Sequence, residues 1–404
     1  MKEHLYKIFL ILFLILPVSV FAYDFGLVIN ANGGYGNITS ANNDFDFKAD
    51  ILPRFSTLIG DNGEFVLSAG FSIGKDGDFF YIPELLRTEF SMRFGNSSLR
   101  AGRINFSDPL SFITNGLFDG IQYYYNSEAG SFRAGAWYTG FQYKKRANIA
   151  MTEDDQTALN TPFEYSDINT YFASRRVISS VGWEHPSIGD FLHLNTAFVG
   201  QTDLNLAKTA AYHSQYLIVK AGMPINNFLM EVGGSVELSQ TVTDDENKFN
   251  MAFAGEIGLF LLFPSKFNSR LSFTSVITSG GTDGLIRAFI PITGKEYGYI
   301  LKSTISGLSI FSLGYSSRFT NSLGGLFTVS YFVRSDLGTF IGYPVIIANE
   351  GYFLGPEASA RITWSPASDL QLNLGGGAFF PALGDTGSKE IKWRVDLTVI
   401  MSIL

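Results

Sequence analysis

Several runs of the chain place charges at every second position. Arg87, Glu89 and Arg93 alternate with Leu86, Thr88, Phe90, Met92 and Phe94. Glu357 and Arg361 alternate with Ala358, Ala360 and Ile362, and Lys392, Arg394 and Asp396 alternate with Trp393, Val395 and Leu397. Period-two spacing puts the charges of a run on one face of a β-strand and its apolar side chains on the other. The same reading assigns Arg133, Glu231, Glu237, Glu256, Arg270 and Arg318 to charged strand faces. Both signs are mixed, which suits a general polar wall better than a single-sign filter. The plainer use of such charges is pairing across strands.

Bond-making chemistry finds little support. Of four histidines, His4 lies in the N-terminal apolar segment, leaving His185, His193 and His213. His185 falls in a Glu-His-Pro turn, and His193 shares a strand face with Asn195 but with no flanking serine. A nucleophile needs a base and an orienting group within reach, and no nucleophile-elbow motif is present. The chain has no cysteine, which excludes thiolate metal sites and disulfides. The acidic clusters Glu153-Asp154-Asp155 and Asp244-Asp245-Glu246 lack the spacing of a calcium loop. The expectation is no enzyme, no metal and no cofactor.

A different use suits Glu153, Asp154 and Asp155. They sit in the longest link, 141–170, which reads as structureless and also carries Lys144, Lys145 and Arg146. Folded inward, that link would narrow a lumen and set acids against wall arginines; folded outward, it is a solvated loop. The link 105–116, pinned by Asp108-Pro109, is the rival constriction.

The elements that position these groups are strands throughout. Ile391 to Leu404 alternates to the end of the chain, and Tyr23 to Ala31 offers it a partner. Short links at 95–97, 127–130, 223–227, 264–266 and 365–368 carry turn residues. Longer links fall between them, at 32–43, 74–84, 105–116, 141–170, 201–211, 240–248, 279–296 and 381–389. Short turns at one rim and long loops at the other mark a transmembrane barrel. Strands are expected at about 308–318 and 323–334, followed by an ambiguous apolar stretch from Thr339 to Ile347. The raw count is nineteen, and closure of a bacterial barrel favours an even number. The expected fold is therefore an all-β, closed antiparallel transmembrane barrel of eighteen strands, with sixteen and twenty as alternatives and no plug domain.

Composition agrees. Charged residues make up 16% of the chain, against about 25% in soluble proteins, while 38 Phe, 19 Tyr and 42 Gly suit lipid-facing strands with aromatic girdles. Inward charges must meet water, because a lipid-facing one costs about 2–4 kcal/mol at mid-bilayer. The net charge of −8 argues against nucleic acid. Ile8 to Val20, flanked by Lys2 and Lys7 and followed by Val20-Phe21-Ala22, reads as a secretory signal cleaved after Ala22. The expected organisation is thus 1–22 signal peptide and 23–404 one barrel domain in the outer membrane.

One local pattern goes further. Leu99-Arg100-Ala101-Gly102-Arg103, then Asp108-Pro109, then Gly116-Leu117-Phe118-Asp119-Gly120 resembles the strand-end, loop and strand-start segment of porin-like outer-membrane barrels. The resemblance covers about twenty residues and implies a diffusion channel for small polar solutes. Expected partners are outer-membrane lipid and such solutes, with a homotrimer compatible. The alternatives are a surface adhesin or receptor barrel and, less favoured, an outer-membrane lipid-modifying hydrolase.

Overall fold

Alternation of apolar and polar residues resolves into eighteen antiparallel strands. The computed structural model describes residues 23–38, 43–76, 78–204, 210–243, 246–264, 267–281, 284–337, 351–385 and 389–403. The first strands are β1 (Tyr23–Gly36), β2 (Asp44–Ile59), β3 (Gly63–Asp76), β4 (Asp78–Phe94), β5 (Ser97–Ser107) and β6 (Asn115–Ser127). Then come β7 (Gly130–Tyr138), β8 (Arg176–Ile188), β9 (Leu192–Asp203), β10 (Ala211–Ile225), β11 (Phe228–Val242) and β12 (Asn247–Phe263). The last are β13 (Ser269–Thr278), β14 (Leu308–Arg318), β15 (Leu323–Arg334), β16 (Phe353–Ala367), β17 (Leu370–Phe379) and β18 (Lys392–Ile403). Each strand pairs with its sequence neighbour, and β1 pairs with both β2 and β18, so the sheet closes. Closure removes unpaired edges, the condition for a sheet to cross lipid.

Register decides which face each residue joins. Leu217 on β10 stands opposite Val236 on β11, which stands opposite Phe253 on β12, and all three are exposed. One residue along, Ile218, Ser235 and Ala254 form a buried row on the inner face. Phe94, Tyr123, Tyr125 and Phe132 are exposed beside the short turns, and Tyr35, Phe45 and Phe79 near the long loops. These positions match two aromatic girdles around an apolar band.

The eighteen-strand expectation agrees with the fold, and β14 and β15 take the expected bounds. Other boundaries differ. The expected long link 74–84 is strand on both sides, with a single residue between β3 and β4, because the two strands pair all the way from Gly63 opposite Met92 to Asp76 opposite Asp78. The link 141–170 is not structureless: it holds helices α1 (Lys144–Ala147) and α2 (Glu153–Asn160) and a 3-10 turn at Ile168–Thr170. Thr152 and Asp155 cap α2 reciprocally, a local signal that a composition-based reading passes over. Leu86, expected to share the face of Thr88 and Phe90, is the extra residue of a bulge, since Arg87 pairs with Ser68 and Leu85 with Ala69. Residues 1–22, Thr339 to Ile347 and Asp244-Asp245 lie outside the described residues.

The apolar core sits inside the barrel, in its long-loop half. Phe106 of β5 stacks on Trp137 of β7 with ring centroids 4.0 Å apart. Phe112, Ile149, Met151 and Phe289, all from loops, are buried in the same cluster. Three loops therefore fold inward rather than outward.

Candidate constriction of the lumen

All fourteen wall charges expected from alternation fall on inner-face register positions, but they divide by what they touch. Glu89 is buried between Arg87 (Nε to Oε2 2.7 Å) and Arg100 (Nε to Oε1 2.6 Å). Glu231 and Glu256 flank Lys220 at 3.2 and 2.9 Å. Arg394 forms a bidentate pair with Asp46, one arm at 2.7 Å, and Lys392 pairs with Glu390 at 3.0 Å. Arg133 donates to Asn195 Oδ1 at 3.3 Å, and Arg270 lies over the Phe260 ring at 5.6 Å. Arg318 caps the short-turn rim by donating to the Asn321 carbonyl at 2.9 Å. Arg93 and Arg361 are exposed on the inner face. Such wall pairs compensate each charge with its opposite and hold the surrounding strands in register.

Glu237, Glu357 and Asp396 do something else: they hold a loop. Glu237 on β11 is fully buried and accepts from the Tyr212 hydroxyl (2.7 Å) and the Ile290 N–H (2.9 Å). The Tyr216 hydroxyl donates to the Ile290 carbonyl at 2.5 Å. Glu357 on β16 accepts the N–H groups of Tyr299, Ile300 and Leu301, the last two at 2.9 Å. The Tyr299 hydroxyl donates to Asp396 on β18 at 2.5 Å. The segment 284–307 thus crosses the lumen from β11 to β18, with the Ile290, Tyr299, Ile300 and Leu301 N–H groups held by wall carboxylates. Carboxylates accepting N–H groups form hydrogen bonds of about 1.5–3 kcal/mol each, so the strap is firmly tied.

The second inward loop, 108–114, is organised by Asp108. Its carboxylate accepts four backbone N–H groups: Leu110 (2.7 Å), Ser111 (3.1 Å), Ile113 (3.0 Å) and Thr114 (2.8 Å). Burial pushes the Asp108 carboxyl up, against the pull of those four donors. The loop reaches the opposite wall at Gly233 on β11, where a Cβ would stand 2.4 Å from Leu110 Cδ2. Only glycine leaves room for that close approach. Ile113 O then accepts from Ile292 (2.8 Å) and Thr293 (3.1 Å), so the two loops meet in the lumen.

The third loop, 139–175, closes the group. Gly294 N–H donates to Asn148 O at 2.8 Å, and Arg146 Nε donates to Glu84 on β4 at 2.9 Å. Its acids do not form a row. Asp155 is buried, with its carboxylate 2.5 Å from Arg176 Nη2, which also lies 3.1 Å from Asp203. Glu153 is exposed and Asp154 half-buried on α2. Lys295, beside the crossing point, sits over the Tyr297 ring at 5.2 Å, and burial pulls its ammonium below the ordinary lysine range. His193 lies 3.1 Å from Glu184 at the short-turn rim.

Lys220, Glu84 and Lys295 escaped the sequence reading, and Arg100 entered it only as part of the strand-end pattern, not as a wall charge. Lys220 follows an apolar run in β10, with no second charge nearby to mark alternation. The inward course of 284–307 had a visible signal: Phe289-Ile290-Pro291-Ile292 is too apolar for a solvated loop.

A closed eighteen-stranded barrel with an apolar exterior, aromatic girdles and a lumen narrowed by loops is the architecture of an outer-membrane porin. Solved structures share it. Pseudomonas aeruginosa OccK2 (OpdF) in complex with glucuronate is similar with a TM-score of 0.61 at 13% identity, over 94% of this chain and 98% of that one. A BenF-like porin from Pseudomonas fluorescens gives 0.62 at 11% identity, over 94% and 98%. Pseudomonas aeruginosa OpdK with vanillate gives 0.59 at 10% identity, over 94% and 99%. No protein-family profile and no curated protein sequence matches the chain.

Proposed function

We propose that this chain is an outer-membrane channel for passive diffusion of small hydrophilic solutes. The observation that carries the reading is the meeting of loops 108–114, 139–175 and 284–307 inside a closed barrel whose wall keeps both signs of charge. Loops tied across a lumen screen by size, and charges left facing the opening screen by field. Arg93, Arg361 and Arg54 are exposed on the inner face, with no carboxylate partner among the described residues, and stand ready to meet an anionic solute. The ligands named for two structural neighbours, glucuronate and vanillate, are both small organic carboxylates, which fits that class. In this reading Arg87, Glu89, Arg133, Glu231, Glu256, Arg270, Arg318, Lys392 and Arg394 line the path, whereas Glu237, Glu357 and Asp396 set its width. Glu153 and Asp154 stand at its long-loop entrance.

Residues 1–22 serve as the export signal and 23–404 as the barrel. The lumen is bounded by the strands of one chain, so a homotrimer would assemble three separate channels; the mass of the detergent-extracted particle distinguishes the two states. No reaction is assigned to His193, whose partner Glu184 lies with it at the short-turn rim. The test is planar-bilayer recording of the refolded barrel. Stable single-channel steps that respond to small carboxylates are expected, and a folded barrel that never conducts removes the reading.

A further inference from the structure

The barrel wall is split between β4 and β5. Of the 17 residues of β4, only 88–94 pair with β5, whereas β3 pairs with β4 along its whole length. Three local features produce the split. The bulge at Leu86 bends β4 just above the last pair. Gly102, with φ +108, brings β5 so close that a Cβ there would stand 1.8 Å from the Thr88 carbonyl. Pro83, which has no N–H to offer a partner, sits on the open edge, where proline is tolerated in sheets.

Side chains close the split in place of a ladder. Tyr165, on loop 139–175, accepts from the Tyr81 N–H at 3.1 Å and donates to the Tyr81 carbonyl. Tyr171, on the same loop, donates to the Pro83 carbonyl at 2.8 Å. Arg103 of β5 donates to the Leu85 carbonyl while its other arms hold Asp119 at 2.9 and 2.7 Å. Tyr165 and Tyr171 both pack against the Phe163 ring. A backbone edge facing lipid must be satisfied, and here phenol hydroxyls and one guanidinium do it.

Behind the split lies a cavity of about 340 Å³ lined by Arg54, Val66, Leu86, Asn105 and Leu117, among others. Val66 has inner-face parity, opposite Glu89, whereas Asn105 and Leu117 have the parity of Leu99 and Tyr123 on the outer face. One cavity can touch both faces only where the wall is interrupted. Outside it, Phe79, Tyr81, Leu85 and Phe141 are exposed. The cavity therefore offers an apolar body site, a cation with no carboxylate partner among the described residues, and an apolar exit.

We propose that the β4–β5 split is a lateral portal, through which alkyl carboxylates pass between the lumen cavity and the outer leaflet. The proposal rests on the channel reading above. The Arg54 guanidinium holds the carboxylate while Val66, Leu86 and Leu117 cover the first methylenes. Release of Tyr165 and Tyr171, together with the Arg103 bond to the Leu85 carbonyl, frees the β4 edge without breaking a strand ladder.

The refolded full-length barrel is tested in liposomes containing lipopolysaccharide, with decanoate delivered from cyclodextrin and its arrival in the bilayer followed by a membrane dye. Liposome swelling in arabinose reports the lumen separately. Because the chain has no cysteine, Tyr81→Cys with Tyr165→Cys gives one pair that a short bismaleimide bridges. Wild-type protein is expected to speed decanoate transfer over empty liposomes, and bridging to return it to the empty rate with arabinose swelling unchanged. Tyr171→Phe is expected to raise transfer roughly fivefold, the effect of losing one modest hydrogen bond, Tyr165→Phe to raise it further because it loses two, and Arg54→Ala to lower it. Decanoate transfer equally fast with and without the bridge, while arabinose still enters, overturns the portal and leaves the channel standing. A folded barrel that admits no arabinose overturns the channel reading itself and the portal with it.

Discussion

Replacing Glu357 by glutamine tests the strap across the lumen most directly. Glu357 is 3% exposed and accepts N–H groups from Tyr299 through Oε1 and from Ile300 and Leu301 through Oε2. Glutamine has one acceptor oxygen. If it replaces Oε2, the amide NH2 faces the Tyr299 N–H, and two donors confront each other. One hydrogen bond to a charged group is lost, worth about 1.5–3 kcal/mol, and the other two fall to neutral strength. A net loss of about 3 kcal/mol raises the population of the released strap roughly a hundredfold. Released, the strap no longer spans from Glu237 on β11 to Asp396 on β18, and the lumen widens. Single-channel recording of Glu357→Gln in planar bilayers is expected to show larger conductance steps with more open-state noise. A refolded variant with the parent's conductance and noise would show that Glu357 does not hold the loop, and the constriction argument would fall with it.

Three further outcomes are expected. Asp108→Asn retains one acceptor oxygen for four N–H donors, so loop 108–114 loses about 2–4 kcal/mol of tethering, and conductance noise should rise without loss of the barrel. Arg176→Met leaves Asp155 and Asp203 buried without their shared cation, a loss of about 3–5 kcal/mol; limited proteolysis should then cut within 139–175, where the parent resists. Burial holds the Lys295 pKa below the ordinary 10.5, so its positive charge is lost as pH rises through that lowered value. Anion preference, read from reversal potentials, should therefore decline below pH 10.5, and Lys295→Arg should abolish the decline.

How much of this was legible depended on range. Alternation is a local property, and it carried the strands and the inner-face positions of residues such as Arg87, Arg361 and Arg394; its count of nineteen became eighteen only through the even number that closure requires. The segment from Leu99 to Gly120 was also locally visible. Its glycine at 102, its Arg103–Asp119 pair and its Asp108 cradle shape the constriction and the split wall. Leu86 went astray because a bulge shifts parity by one residue and leaves no mark in the alternation of its own strand. Of the acids at 153–155, only Asp155 meets a wall arginine, Arg176; which acid is brought inward depends on the course of the loop, and alternation carries no information about that.

The sequence by itself determined that this chain must be a closed sheet with a wet interior: period-two charges have nowhere else to go in lipid, and an unclosed edge would be left unpaired there. Only the tertiary structure decided which of those charges face a passing solute and which hold loops. Glu357 and Arg361 lie four residues apart on one strand and look alike in alternation. Yet Glu357 meets backbone some 57 residues earlier in the chain, while Arg361 is left exposed. Strand pattern fixes direction toward the lumen; what waits there is set by loops whose course depends on contacts distant in sequence.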